Sequence, residues 1–125
     1  MPHLSLEYSA NVEFEIQPLL ARLHEAMVAT GAVNMKGLKS RAMLREDYRI
    51  ADGHEGYKYV HLNILIRDGR PLETQQEIAQ RTMAVLADTF GHYFADDYIS
   101  LSVDIKEMKA GLALTKHNIP SGGVG

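Results

Sequence analysis

Apolar and polar residues alternate from the start of the chain: Leu4, Leu6 and Tyr8 fall on one side, His3, Ser5 and Glu7 on the other. A period of two marks a half-buried strand, and this one begins directly after Pro2. From about Ile16 to Thr30 the period becomes helical, with Leu19, Leu20, Leu23, Met27 and Val28 forming the apolar stripe. Pro18 is tolerated in the first turn of that helix, and Gly31 supplies a stop. Leu38 to Ile50 predicts a second strand, with Leu38, Ser40, Ala42 and Leu44 opposite Lys39, Arg41, Met43 and Arg45. Asp52 to Gly56 has turn composition. Tyr57 to Arg67 predicts a long third strand, with Val60, Leu62, Ile64 and Ile66 on one side. After a short loop, Pro71 opens a second helix to about Phe94, whose buried side carries Ile78, Thr82, Val85, Leu86, Phe90 and Tyr93. Ile99 to Lys106 alternates as a fourth strand, and a short piece near Leu112–Leu114 is expected to pair at an edge.

The order is strand, helix, strand, twice over. Each half reads as a β-α-β unit with a right-handed crossover. The expected fold is α+β, a four-stranded mixed sheet with both helices on one face. The other face then needs a cover, which predicts an oligomer.

Composition narrows the class. At 125 residues, 46% of them hydrophobic, one domain is expected, over residues 2–118, with a flexible Gly-rich tail over 119–125. No apolar run reaches membrane-spanning length, and Glu7 and Asn11 interrupt any N-terminal signal-like segment. Cysteine is absent, which removes disulfides and thiolate metal sites and fits a cytoplasmic protein. A net charge of −3 gives no electrostatic case for nucleic acid. His3, His24, His54, His61, His92 and His117 are scattered without metal-ligand spacing. Phosphate-binding glycine loops and nucleophile elbows are missing as well, so no metal and no cofactor is expected.

The chemistry therefore centres on Pro2. Methionine is usually removed before a small residue, and removal of Met1 would leave Pro2 with a secondary amine. An α-amino group has a reference pKa of about 7.7–8.0, and burial or nearby cations lower it. Such an amine can serve as a neutral general base. If Met1 stays, the nitrogen is a tertiary amide and cannot. Lys39 and Arg41 share one face near the start of the second strand, and Arg70 occupies the corresponding loop of the second half. A β-α-β unit sets its first strand beside the strand after its helix, so Pro2 and the Lys39–Arg41 pair can lie close. Cations beside a proline base suit a carboxylated, enolisable substrate: they bind carboxylates and stabilise a developing enolate.

Pro2-His3-Leu4, Ala29-Thr30-Gly31, Gly37-Leu38-Lys39-Ser40-Arg41, Ala51-Asp52-Gly53, Tyr59-Val60-His61 and Gly69-Arg70-Pro71-Leu72-Glu73 together resemble the 5-carboxymethyl-2-hydroxymuconate isomerase family of the tautomerase superfamily. The resemblance runs from Pro2 to about Asn118. It implies a homotrimer built from paired β-α-β units, no cofactor, and a Pro2 that moves a proton within a dienol–enone system in aromatic-compound catabolism. It implies Pro2 and Arg70 as catalytic residues and Lys39, Arg41 and Arg70 as substrate-binding ones. Lys39 stands where the family carries an arginine; lysine keeps the charge and loses the planar fork. His3 reads as a structural strand residue. Two other readings stay open: a different tautomerase activity, such as phenylpyruvate-type keto–enol exchange, and a non-catalytic oligomeric module that captures a small anion.

Overall fold

The computed structural model describes residues 2–122. The expectations for Met1 and for the end of the tail, 123–125, fall outside the described residues. The strands are β1 (His3–Ser9), β2 (Lys39–Arg45), β3 (Tyr57–Arg67) and β4 (Tyr98–Met108); the helices are α1 (Ile16–Ala29), α2 (Leu72–Phe90) and the short α3 (Tyr93–Asp96). Strand order is β2-β1-β3-β4. The pairs β1–β2 and β3–β4 are parallel, and the central pair β1–β3 is antiparallel. The two β-α-β units that the alternation predicts thus meet along their first strands.

Leu4, Leu6, Val60, Leu62, Ile64 and Ile66 are essentially inaccessible and meet Leu19, Leu23, Met27, Ile78, Leu86 and Phe90 from the helices. Full burial of each such side chain contributes about 1.5–3 kcal/mol. Phe90 also stacks edge-on with Phe14 at 5.2 Å, and Phe14 with Tyr8 at 4.8 Å. This aromatic chain ties α2 to the loop after β1.

The uncovered face has a different chemistry. Cross-strand register sets Lys39, His3, Leu65 and Lys106 in one row, then Arg41, Ser5, Asn63 and Asp104, then Met43, Glu7, His61 and Ser102. These rows are mostly polar, and some groups pair, Arg45 with Glu7 at 2.8 Å and His61 with Ser102 at 2.6 Å, while Tyr57 and Tyr98 pack edge-on at 5.7 Å at the far end of the face. Exposed Leu72, Phe94, Leu112 and Leu114 sit on helices and loops outside it.

The largest differences from the sequence pattern fall after β2, after α2 and after β4. β2 ends at Arg45, because Glu46 onwards leads into the turn where Ala51 and Gly53 take positive φ (49° and 89°). The second helix stops at Phe90, and Gly91 separates it from α3. The Leu112–Leu114 piece forms no strand: Ala110–Leu112 is a 3-10 turn, and both leucines point into solvent. Among the described residues no helix is long and apolar enough to cross a membrane.

Phe90→Ala is expected to lower folding stability by about 3–5 kcal/mol, the usual cost of emptying a buried aromatic site. Urea unfolding measures it, and a loss below about 1 kcal/mol would contradict this account of the core.

Candidate active site

The first row of the uncovered face lies at the end of the sheet where β1 and β2 begin and β3 and β4 finish. Pro2 is buried there, immediately before β1. Its carbonyl accepts a hydrogen bond from the Lys39 backbone N–H at 3.2 Å. The turn Met35–Gly37 aims β2 into this pairing, closed by the Leu38 N–H on the Met35 carbonyl at 3.1 Å. At the other flank β3 ends at Arg67, and Gly69, with φ of 103°, reverses the chain toward α2.

Arg41 projects from the same side of β2 as Lys39. Its guanidinium donates to Ser5 Oγ at 3.2 Å and to His3 Nδ1 at 3.0 Å. Arginine only donates, so Nδ1 accepts and His3 is the neutral tautomer protonated on Nε2. Burial, and after it the charges of Arg41 and Lys39, hold the His3 pKa below its ordinary value of 6.5. His3 thus has a definite task beside its place in the strand: it anchors Arg41. Together with Asn63, Leu65 and Lys106, these residues line an open cleft of about 470 Å³.

Lys39 lines a second cleft, of about 280 Å³, with Gly37, Arg67, Thr115 and His117. Its Nζ is buried and has no hydrogen-bond partner among the described residues. Arg70 belongs to the wall of neither cleft. Its guanidinium donates to the carbonyls of Arg67 at 3.1 Å and Ala32 at 3.0 Å, fastening the loop before α2 to the loop after α1. Asp68 is not its partner; that carboxylate accepts from the Ala110 N–H at 3.2 Å.

Of the four residues singled out in the sequence, Pro2 and Lys39 are joined directly, Arg41 lies two positions along from Lys39, and Arg70 sits in the loop at the same end of the sheet. Arg67, Lys106 and Asn63 were missed. Their signal was available: the polar row of β3 ends at Arg67, and an antiparallel β3 must bring that end toward Pro2. His117 and Thr115 gave no signal, since they belong to a segment without periodicity. Among the described residues no three His, Cys, Asp or Glu side chains converge as a metal-binding group would. The arrangement is cationic, with a buried strand start beside it. It is suited to hold a carboxylated anion and to disfavour added positive charge on a neighbouring amine.

A family model described as 5-carboxymethyl-2-hydroxymuconate isomerase matches residues 2–121. The 5-carboxymethyl-2-hydroxymuconate Delta-isomerase of Escherichia coli is 28% identical over 121 residues, 95% of this chain and 96% of that protein. The crystal structure of a 5-carboxymethyl-2-hydroxymuconate isomerase from Deinococcus radiodurans R1 superposes with a TM-score of 0.88 at 32% identity, covering 94% of this chain and 90% of the other. A fused 4-OT protein, solved as a symmetric trimer, shares the fold with a TM-score of 0.74 at 14% identity over 97% of each chain.

Folding stability is expected to fall as pH drops from 7 through 6.5. His3 and His24 both have folded pKa values below 6.5, His24 through burial against β2, where its Nε2 meets Ser40 Oγ at 2.8 Å. Below 6.5 the unfolded chain binds protons that the folded chain still refuses, so acid favours unfolding. Glu7, held below 4.5 chiefly by its hydrogen bond from Arg45, adds a second loss at lower pH. Urea midpoints across pH 5–7.5 test this: the double variant His3→Asn/His24→Gln should show a flatter profile than the parent, and identical profiles would count against it.

Proposed function

The chain belongs to the 5-carboxymethyl-2-hydroxymuconate isomerase family, and on that footing we propose that it converts a 2-hydroxymuconate-type dienol to its conjugated oxo isomer, with Pro2 as general base. After removal of Met1, the Pro2 nitrogen takes the proton of the 2-hydroxy group and returns it to a carbon of the conjugated chain. The C–O bond becomes a carbonyl, the double bonds shift, and no atom is gained or lost. Lys39, Arg41 and Arg70 supply positive charge for the substrate's carboxylates and for the oxygen as negative charge develops on it. Those same cations keep the proline amine neutral near pH 7, the state a base requires.

The observation that carries this reading is the pairing of Pro2 with Lys39 at 3.2 Å, which fixes the strand start beside the cationic face. Arg41 enters with its fork already oriented by His3 and Ser5, so less side-chain freedom is lost when a carboxylate binds. Arg70 contributes from the loop, where two carbonyl contacts hold its charge at this end of the sheet. The polar uncovered face suits a homotrimer, the form in which the fused 4-OT protein was solved. Charged and hydroxyl-bearing rows on that face would then be shared between copies.

Pro2→Ala should keep the fold and the oligomeric state and lower kcat/KM by about 10²–10⁴-fold, the usual worth of a positioned general base. An ultraviolet assay on a carboxylated dienol reads the rate, and intact mass of the parent protein should lack Met1. Undiminished turnover in the variant, or an active enzyme that retains Met1, would sink the assignment of Pro2.

A further inference from the structure

Leu112 and Leu114 are 81% and 90% exposed, more than any other large apolar side chain among the described residues. The backbone holds them there. The Leu112 N–H closes a 3-10 turn on the Lys109 carbonyl at 2.9 Å, the Ala110 N–H donates to Asp68 at 3.2 Å, and Arg67 donates to the Ala113 carbonyl at 3.2 Å. Ala113 is extended, with φ −113° and ψ 104°, so its two neighbours project to one side. An apolar pair fixed in this way loses little freedom when a partner covers it. The opposite end of β4 carries a complementary feature. Ile50, Ala51, Tyr57, Tyr98 and Ile99 wall a cleft of about 220 Å³ where β3 and β4 begin, with Ser100 beside them. Tyr57 and Tyr98 meet edge-on at 5.7 Å, and Tyr98 stays 69% exposed. The charges of the two ends are opposite as well. The loop 46–55 exposes Glu46, Asp47, Asp52 and Glu55 against one arginine, Arg49, whereas residues 109–117 carry Lys109 and Lys116 and no carboxylate. The ten-residue rise from Tyr98 to Met108 spans about 33 Å, so the leucines of one chain cannot reach the cleft of that same chain.

We propose that Leu112 and Leu114 of one copy of this chain dock in the Tyr57–Tyr98 cleft of a second copy. Leu114 fills the cleft, Leu112 lies against the exposed ring of Tyr98, and Lys109 and Lys116 face the acidic loop 46–55. Apolar burial supplies the attraction, and the charges select which end is accepted. The two patches are different surfaces, so the contact is heterologous: copies join head to tail, and the series closes as a ring when the rotation between neighbours allows it. Three such contacts make the homotrimer proposed above. The two leucines, which alternate without joining either edge strand of their own sheet, thereby find a cover.

Two measurements on the full-length protein test this. In sedimentation velocity and native mass, the double variant Leu112→Asp/Leu114→Asp should raise the dissociation constant of the assembly about thirtyfold or more, the level of an interface hot spot. Its circular dichroism should match the parent's, because both side chains already stand in water. Tyr98→Asp, at the other end of the contact, should weaken assembly in the same way. A double variant that assembles as tightly as the parent, or a parent that stays monomeric at every concentration, would overturn the proposal. In cross-linking, the absence of native cysteine makes every disulfide a reporter. Leu114→Cys co-expressed with Ser100→Cys should give covalent dimers on mild oxidation, and each variant expressed alone should give none. Leu114→Cys linking to itself would set leucine against leucine across a twofold axis and refute head-to-tail docking. A co-expressed pair that remains oligomeric yet never cross-links would refute it too. Turnover enters neither readout, so the isomerase reading stands or falls separately.

Discussion

β1 is hydrogen-bonded on both flanks, and the candidate site follows from where this central strand starts. With β2 parallel on one side and β3 antiparallel on the other, Pro2 is bracketed by the beginning of one neighbour and the end of the other. Here the Lys39 N–H fixes the Pro2 carbonyl and the core holds Leu4 two residues later. Pro2 thereby takes the position of an interior strand residue. The strict alternation of β1 achieves this by committing Leu4, Leu6 and Tyr8 to the helices and leaving His3, Ser5 and Glu7 for the opposite face.

That division of faces carries an electrostatic consequence. The molecule bears a formal charge of −3, yet Lys39, Arg41, Arg67 and Lys106 gather at one end of one face. Like charges so placed repel one another and weaken the compact state, and a low-dielectric wall strengthens the field they produce. The structure relieves part of this with neutral acceptors: His3 and Ser5 take Arg41, and the Ala113 carbonyl takes Arg67. Neutral acceptors orient a cation without cancelling it, whereas a carboxylate in their place would cancel it. Glu7 does so one row further along, where it pairs with Arg45. The Arg41 row also carries Asp104 on β4, which is not hydrogen-bonded to Arg41 among the described residues, whereas Glu7 is bonded to Arg45.

Much of this was legible in the sequence because it depends on period. The two β-α-β units, the helix-facing rows, and the placement of Lys39 and Arg41 on the face away from the helices all follow from alternation by two and by 3.6. The extents were less legible where local chemistry overrides period. Leu44 continues the pattern of β2, but the chain leaves the sheet at Arg45 for the turn at Ala51 and Gly53. The aromatic run Tyr93–Phe94 continues the stripe of α2, but Gly91 intervenes. Leu112 and Leu114 alternate as a strand would, yet the chain takes a 3-10 turn at Ala110–Leu112 and joins neither edge strand. Arg70 was expected at the site from its place in the loop; its contacts with two carbonyls come from tertiary geometry that no spacing encodes. Lys39 Nζ is a similar case. A strand lysine reads as a solvated charge, and only the segment that Arg67 ties down gives it a burying wall.

The lysine at position 39 differs chemically from the arginine two residues along the same strand. A guanidinium imposes a planar, two-pronged approach, while an ammonium offers a compact charge that accepts several approach directions. Arg41, planar and tethered at both His3 and Ser5, presents its fork in a fixed direction. Lys39, buried and untethered, supplies charge without dictating angle, so the direction there falls to Arg67 and to the chain that Arg67 holds. One tethered fork and one adaptable charge thus stand two residues apart on a single strand.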